Sequence, residues 1–392
     1  MKFAALFVMA LSALAAQAQT QCNDRLASPV VTIPLPGPPF AVAVSGDGCR
    51  VFASLMGKGG ISVLSRKGGQ VQLVRTVPMP EAATGIVLTH DGKLLIAATG
   101  NGPVFLDVPC LVAGCGKPIL GSIVDGQRVQ SIYVNVTGDD KFLFVSEESA
   151  AAITVIDLAR ARRDGFKGES IIGKIPVGRA PIALTFSADG SRLFTTSQAA
   201  LPEWGWPAAC TPEGRPNITA LVNPEGAVMV IDVARAETDP AHSVTARVPA
   251  GCSPVRMALS PDGERVYVTA RNSNSVLAFD AGKLVSDPAH SRLGMAKVGT
   301  APVPVAVVAG GKMVVAGNSN RFGGRGEAQS LTLLDAAKIA GGSDAAIGEI
   351  PAGAFPRELR VSADGQTLFL TNFGSNSLQV MDVERLATKK FN

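Results

Sequence analysis

The chain is poor in residues that usually do polar chemistry. Aromatics make up 5% of its 392 residues, with two tryptophans and two tyrosines, and there are three histidines. His90, His242 and His290 sit in segments read as turns: His90 before Asp91-Gly92, and the other two each ending an Asp-Pro-Ala-His run. That placement argues against a histidine-based triad or a histidine-ligated metal. There is no G-x-S-x-G elbow, no C-x-x-C pair and no C-x-x-C-H haem-attachment motif. Charged residues are 17%, the formal charge is +4, and no basic run exists, so nucleic acid is not an expected partner. No metal site and no cofactor are expected from these residues.

Long apolar runs are missing too, except at the N-terminus. Lys2 precedes the run Phe3–Ala15, and Ala16-Gln17-Ala18 is a small-x-small cleavage signal. This pattern reads as a signal peptide over residues 1–18, cut before Gln19, and the run is too short for a retained membrane span. A periplasmic or secreted, monomeric protein without a membrane span is therefore expected, with residues 19–392 as one domain.

What is abundant is glycine, 42 residues, and a recurring phrase. An alternating apolar strand leads into Ser-x-Asp-Gly, a second strand, a small polar loop, and a third strand ending in Asp. Copies begin at Pro39, Ala83, Ser131, Pro181, Pro254, Pro302 and Pro356. The turn aspartates are Asp47, Asp91, Asp139, Asp189, Asp262 and Asp364, with Gly310-Gly311 in the remaining copy. Asp-Gly between alternating apolar runs is a strong hairpin signal. A repeat period in the forties to fifties with about four strands per unit marks propeller blades. The expected fold is all-β: a seven-bladed β-propeller with four-stranded antiparallel blades. The last copy lacks a fourth strand, and Val30–Pro34 before the first copy reads as the strand that closes the ring, leaving no open sheet edge.

In such a ring the first–second and third–fourth turns share one face (the bottom), and the second–third loops and blade-to-blade links share the other (the top). That geometry sorts the six cysteines. Cys22 and Cys49 fall at the bottom of adjacent blades, Cys110 and Cys115 share one loop, and Cys210 and Cys252 lie at the top of blades four and five. The expected disulfides are 22–49, 110–115 and 210–252.

Alternation along the inner strands separates core from channel. Val42, Ile86, Val134, Leu184, Met257, Val305 and Leu359 form a uniformly apolar register, the core set. The registers on either side are small or polar and include Tyr133, Arg256 and Glu358 on one layer, with Asn135 and Arg360 one layer below. The top loops add Glu147, Glu148, Arg271, Asn272, Asn318, Arg321, Asn372 and Phe373. A long insertion in the fourth blade, about 197–225, holds Trp204 and Trp206 and reads as a lid or a packed cap. Gly323-Gly324-Arg325-Gly326 is a loop tip without the strand–turn–helix setting of a phosphate loop.

The stretches SPDGERVYVTARNSNSVLAFD and SADGQTLFLTNFGSNSLQVMDV resemble the YVTN-type (WD40/YVTN-like) propeller repeat. The chain is similar over nearly its whole length to the superfamily of YncE-like periplasmic proteins and seven-bladed lactonase-like propellers. That resemblance implies the fold, while the superfamily's activities range from lactone hydrolysis through dehydrogenase subunits to binding.

Two functions follow as expectations. In the first, a non-catalytic propeller holds a small polar ligand, a peptide or an extracellular protein at its top face and channel mouth, using Tyr133, Asn135, Arg256, Arg271, Asn272, Asn318, Arg321, Glu358, Arg360, Asn372, Phe373, Trp204 and Trp206. In the alternative, a lactonase-like hydrolase uses Glu358, Glu147 or Glu148 as base and Arg256 to stabilise the oxyanion, with calcium a cofactor held partly by Asn135 and Asn318.

Overall fold

The computed structural model describes residues 22, 24–57, 59–215, 217–323, 329–339 and 343–388. The expected leader over residues 1–18 and the loop positions 324–326 lie outside the described residues.

Seven four-stranded antiparallel sheets form a ring, the seven-bladed propeller. In the fifth blade the order from inside outward is Pro254–Leu259, Arg265–Ala270, Ser275–Asp280 and Arg292–Lys297. The seventh blade takes its outer strand from the start of the chain: Val30–Pro34 pairs antiparallel with Ser377–Asp382, Val30 opposite Met381 and Pro34 opposite Ser377. All three disulfides have the expected partners: Cys22–Cys49, Cys110–Cys115 and Cys210–Cys252. The fourth strand of the second blade runs Ile119–Ser122, after Asp107 ends the third strand and caps a short helix, Val108–Ala113.

The repeated phrase has a local physical cause. In six blades the turn hydroxyl (Ser45, Thr89, Thr137, Ser187, Ser260 or Ser362) donates to Oδ1 of the aspartate two residues later. The same oxygen accepts the backbone N–H two residues further on, as with Asp262 and Glu264. The glycine after most of these aspartates takes a left-handed φ, 73° at Gly263, where a Cβ would be strained. The aspartate closing the third strand caps a short helix in several blades: Asp157 accepts from Arg160 N–H and Asp232 from Arg235 N–H.

The apolar register packs between blades as expected, with all seven residues at most 8% exposed. A second set of contacts ties each blade to the next. One hydroxyl per blade donates to a carbonyl on the inner strand of its neighbour: Ser54 to Thr84, Thr84 to Ser131, Ser146 to Ile182, Thr196 to Val255, Thr269 to Val303, Ser319 to Pro356, and Thr371 back to Phe40. The cycle of seven closes on itself and surrounds the channel.

Candidate functional site

In six of the seven blades the inner strand carries an irregularity in its pairing near its top end, such as that between Pro356 and Glu358 or between Pro254 and Met257. The break in the pleat lets neighbouring residues approach the axis. There Tyr133, Arg256, Glu358 and Arg360 meet in one network. Tyr133 Oη donates to Glu358 Oε1 at 2.8 Å, and Arg360 Nη2 lies 3.0 Å from that hydroxyl and 3.3 Å from Glu358 Oε1. Arg256 Nη2 stands 3.2 Å from Glu358 Oε2, while its guanidinium stacks 4.3 Å from the Tyr133 ring centroid. The Arg256 and Glu358 side chains are 8% and 3% exposed, whereas Arg360 is 41% exposed. Burial, followed by the charge of Glu358, pushes the Tyr133 hydroxyl above its ordinary value, so it stays a neutral donor.

This network lines the upper end of a cavity of about 280 Å³. Its walls run down the inner strands to Leu259, Val307 and Val361, toward the bottom face. Asn135 also lines it, with Nδ2 donating to the Leu184 carbonyl. Nε and Nη1 of Arg256 have no acceptor among the described residues, leaving the ion pair of Nη2 to Glu358 as the group's polar contact. Two guanidinium groups therefore face one carboxylate in this layer.

The other candidate residues distribute over three settings. At the top mouth Arg271 is buried, with Nε and Nη2 on the Glu213 carboxylate and Nη2 also on Gln198 Oε1. Gln198 Nε2 in turn donates to Glu148. Asn272 Nδ2 donates to the Thr211 carbonyl, and Arg321 lies exposed with its guanidinium 5.2 Å from the Phe322 ring. The insertion thus reaches the mouth through Thr211 and Glu213 and not through its tryptophans. Trp204 and Trp206 pack edge-to-face at 5.4 Å, with Arg247 of the fourth blade's outer strand over Trp204.

A second group lies inside blades. Asn318 Nδ2 donates to Ser330 and Thr332, and Asn372 Nδ2 to Ser377 and Gln379, so both asparagines cross-link their own sheets. Phe373 packs on Phe355 at 5.2 Å. Glu147 is fully buried away from the channel cavity, held by Lys174 Nζ at 2.8 Å, which also pairs with Asp125 at 2.8 Å. Burial and the neighbouring Asp125 push the Glu147 carboxyl up to about 8. The histidines form the third setting: each is exposed and turned onto a nearby aspartate, His90 on Asp140, His242 on Asp239 and His290 on Asp287. Among the described residues no group of three or more His, Cys, Asp or Glu side chains gathers as a metal site, and Asn135 and Asn318 do not converge.

Two residues at the mouth had no place in the sequence reading. Glu213 is one. The other is Arg357, 9% exposed, which lies 4.1 Å over Phe40 and 5.5 Å from Phe355. Its neighbour Glu358 drew attention through the channel register. Arg357 falls in the register where five other blades place Phe40, Ile132, Ile182, Val255 and Val303 and the second blade Thr84, and a charge at a position otherwise uncharged was the available signal.

No protein-family profile and no curated protein sequence matches the chain. Solved structures do. A chain of the Kuenenia stuttgartiensis hydrazine synthase superimposes with a TM-score of 0.64 at 17% identity, covering 90% of this chain and 97% of that one. A chain of the mitotic checkpoint complex superimposes with a TM-score of 0.65 at 14% identity, covering 97% and 99%. At such identities the likeness is one of fold: the chain is similar to both as a seven-bladed β-propeller.

Proposed function

We propose that the protein is an exported, non-catalytic binding propeller that holds a small anionic ligand in its central channel. The observation that carries this is the Arg256 guanidinium, buried against a cavity with Nε and Nη1 lacking acceptors and sharing one carboxylate with Arg360. Taking an ion out of water costs several kcal/mol, and an unfilled donor set adds to it. A carboxylate entering from the bottom would supply the missing acceptors and balance the charge. The cavity's size, about 280 Å³, suits a ligand of few atoms. A partner protein at the top face is compatible with the fold, since one structural neighbour belongs to a protein complex.

The placement of the carboxylates favours binding over lactone hydrolysis. A general base must be free to take a proton at the reacting centre. Glu358 already accepts from Tyr133 and Arg360 and is ion-paired with Arg256, and Glu147 is engaged by Lys174 outside the cavity. The three disulfides suit an oxidising compartment. Together with the leader-like N-terminus and the YVTN-type phrases, they support a periplasmic or secreted monomer of that superfamily. Among the described residues no helix is long and apolar enough to cross a membrane.

The test is native mass spectrometry of protein purified from its own host. A small anion should be retained by the wild type and lost from Arg256→Met. Turnover of any member of a lactone panel, with or without added calcium, would overturn the reading.

A further inference from the structure

The top mouth presents a separate concentration of charge. Arg357 is the lone ion in a ring of buried apolar side chains: Phe40, Ile132, Ile182, Val255 and Val303 occupy the matching positions of five other blades. It has no ion-pair or hydrogen-bond partner among the described residues, and its contacts are the faces of Phe40 and Phe355. Nε is sealed from solvent without an acceptor. Nη1 and Nη2 are not among the sealed nitrogens, Arg357 takes no part in lining the lower cavity, and it sits beside Pro356 at the top end of its inner strand. Arg321, exposed at the same mouth, also has no carboxylate partner among the described residues.

One carboxylate is already there. Glu213, delivered by the insertion that Cys210–Cys252 tethers to the link between blades four and five, forks onto Arg271. The mouth is thus built to take an oxyanion in one position and leaves two guanidinium groups without one. Burial first, then the charges of Arg256, Arg321 and Arg271, presses Arg357 well below its ordinary value, with Glu148 opposing. Because arginine stays protonated in proteins, that pressure is a standing cost to the unliganded fold.

We propose that the top mouth is an oxyanion-binding site in which Arg357 and Arg321 hold the carboxylate or phosphate group of a ligand beside the Arg271–Glu213 pair. The planar guanidinium of Arg357, fixed between two aromatic faces, offers its two outer nitrogens side by side. This is the arrangement that grips a carboxylate or phosphate with two parallel hydrogen bonds. Arg357 does not line the channel cavity below it.

The experiment is calorimetric titration and thermal unfolding of the full protein with citrate and with inorganic phosphate, at constant ionic strength set by potassium chloride. Citrate binding without phosphate binding assigns a carboxylate ligand, and the reverse assigns a phosphate. Arg357→Met should weaken binding by about tenfold or more, while raising the melting temperature of the unliganded protein. Arg321→Ala, at an exposed position, should weaken binding several-fold with an unchanged unliganded melting temperature. It therefore carries the test if Arg357→Met fails to fold. Glu213→Gln, which removes the competing internal charge, should tighten binding. Binding that is lost in Arg256→Met but kept at wild-type affinity in Arg357→Met and Arg321→Ala belongs to the channel and overturns the assignment to the mouth. Absence of wild-type binding to either anion below about 10 mM, or wild-type affinity in both Arg357→Met and Arg321→Ala, would overturn the proposal.

Discussion

Glu358 is the group on which the channel charges converge. It faces Tyr133, Arg256 and Arg360, with its side chain 3% exposed. Breaking a buried pair by removing one partner typically costs about 3–5 kcal/mol, because the other ion is left uncompensated. Glu358→Gln keeps the shape and should destabilise the fold by about 3 kcal/mol in chemical denaturation. Tyr133→Phe deletes a single hydrogen bond and should cost about 1 kcal/mol. Glu147 predicts a pH dependence. Its folded value, raised to about 8, means the native state binds that proton more tightly than the unfolded chain. The associated stabilisation is complete below the ordinary carboxylate range and is lost as pH rises through about 8. Asp125 runs the other way: against burial, hydrogen bonds with Glu147 and Lys174 hold it low, so its contribution is lost in acid. The melting temperature should therefore fall between pH 6 and pH 9, and Glu147→Gln should flatten that fall; an equal fall in the variant would refute the assignment.

At the scale of strands and turns, the hydroxyl cycle makes a repeated prediction. Thr196→Val and Thr269→Val each remove a donor to the next blade and leave Val255 or Val303 carbonyl short of a partner. Each should cost about 1–3 kcal/mol, measured by denaturant midpoint. Elements were also what the sequence made most legible. The Ser-x-Asp-Gly phrase located the inner hairpins because its hydrogen bonds are local, Ser260 and Glu264 both reaching the one Asp262 oxygen. The apolar register identified the core because period-2 alternation is a property of the strand itself. Which polar side chains reach the axis is set differently. The pairing irregularities at the top of the inner strands are invisible in a strict alternation, so Arg357 was passed over beside Glu358. Asn318 and Asn372 were read as mouth residues from their loop-edge positions, yet they turn into their sheets because hydroxyl and amide partners wait on the adjacent strand. Glu213 lay in an insertion outside the repeat, where no blade-to-blade alignment could assign it a neighbour.

For the whole molecule, the disulfides differ in what they restrain. On a loop-entropy argument the 22–49 and 210–252 bridges, with separations of 27 and 42 residues, constrain the unfolded chain more than 110–115, with a separation of 5. The contributions come to about 3.5, 4 and 2 kcal/mol respectively. Replacing Cys22 and Cys49 by serine should lower the melting temperature and increase hydrogen exchange selectively along Val30–Pro34 and its partner Ser377–Asp382. Uniform exchange changes around the ring would contradict that role.

The closing strand also imposes an order of events on a chain made from its N-terminus. Val30–Pro34 emerges among the first segments, but the strand it must pair with, Ser377–Asp382, is among the last. For most of synthesis that early strand waits with its backbone groups unmatched, an invitation to pair with another chain. Cys22 and Cys49 emerge close together, so their bond can form long before the seventh sheet exists. The crosslink parks the waiting strand at the rim of the first blade, and completing the circle then reduces to the arrival of the final hairpin at a berth already in position.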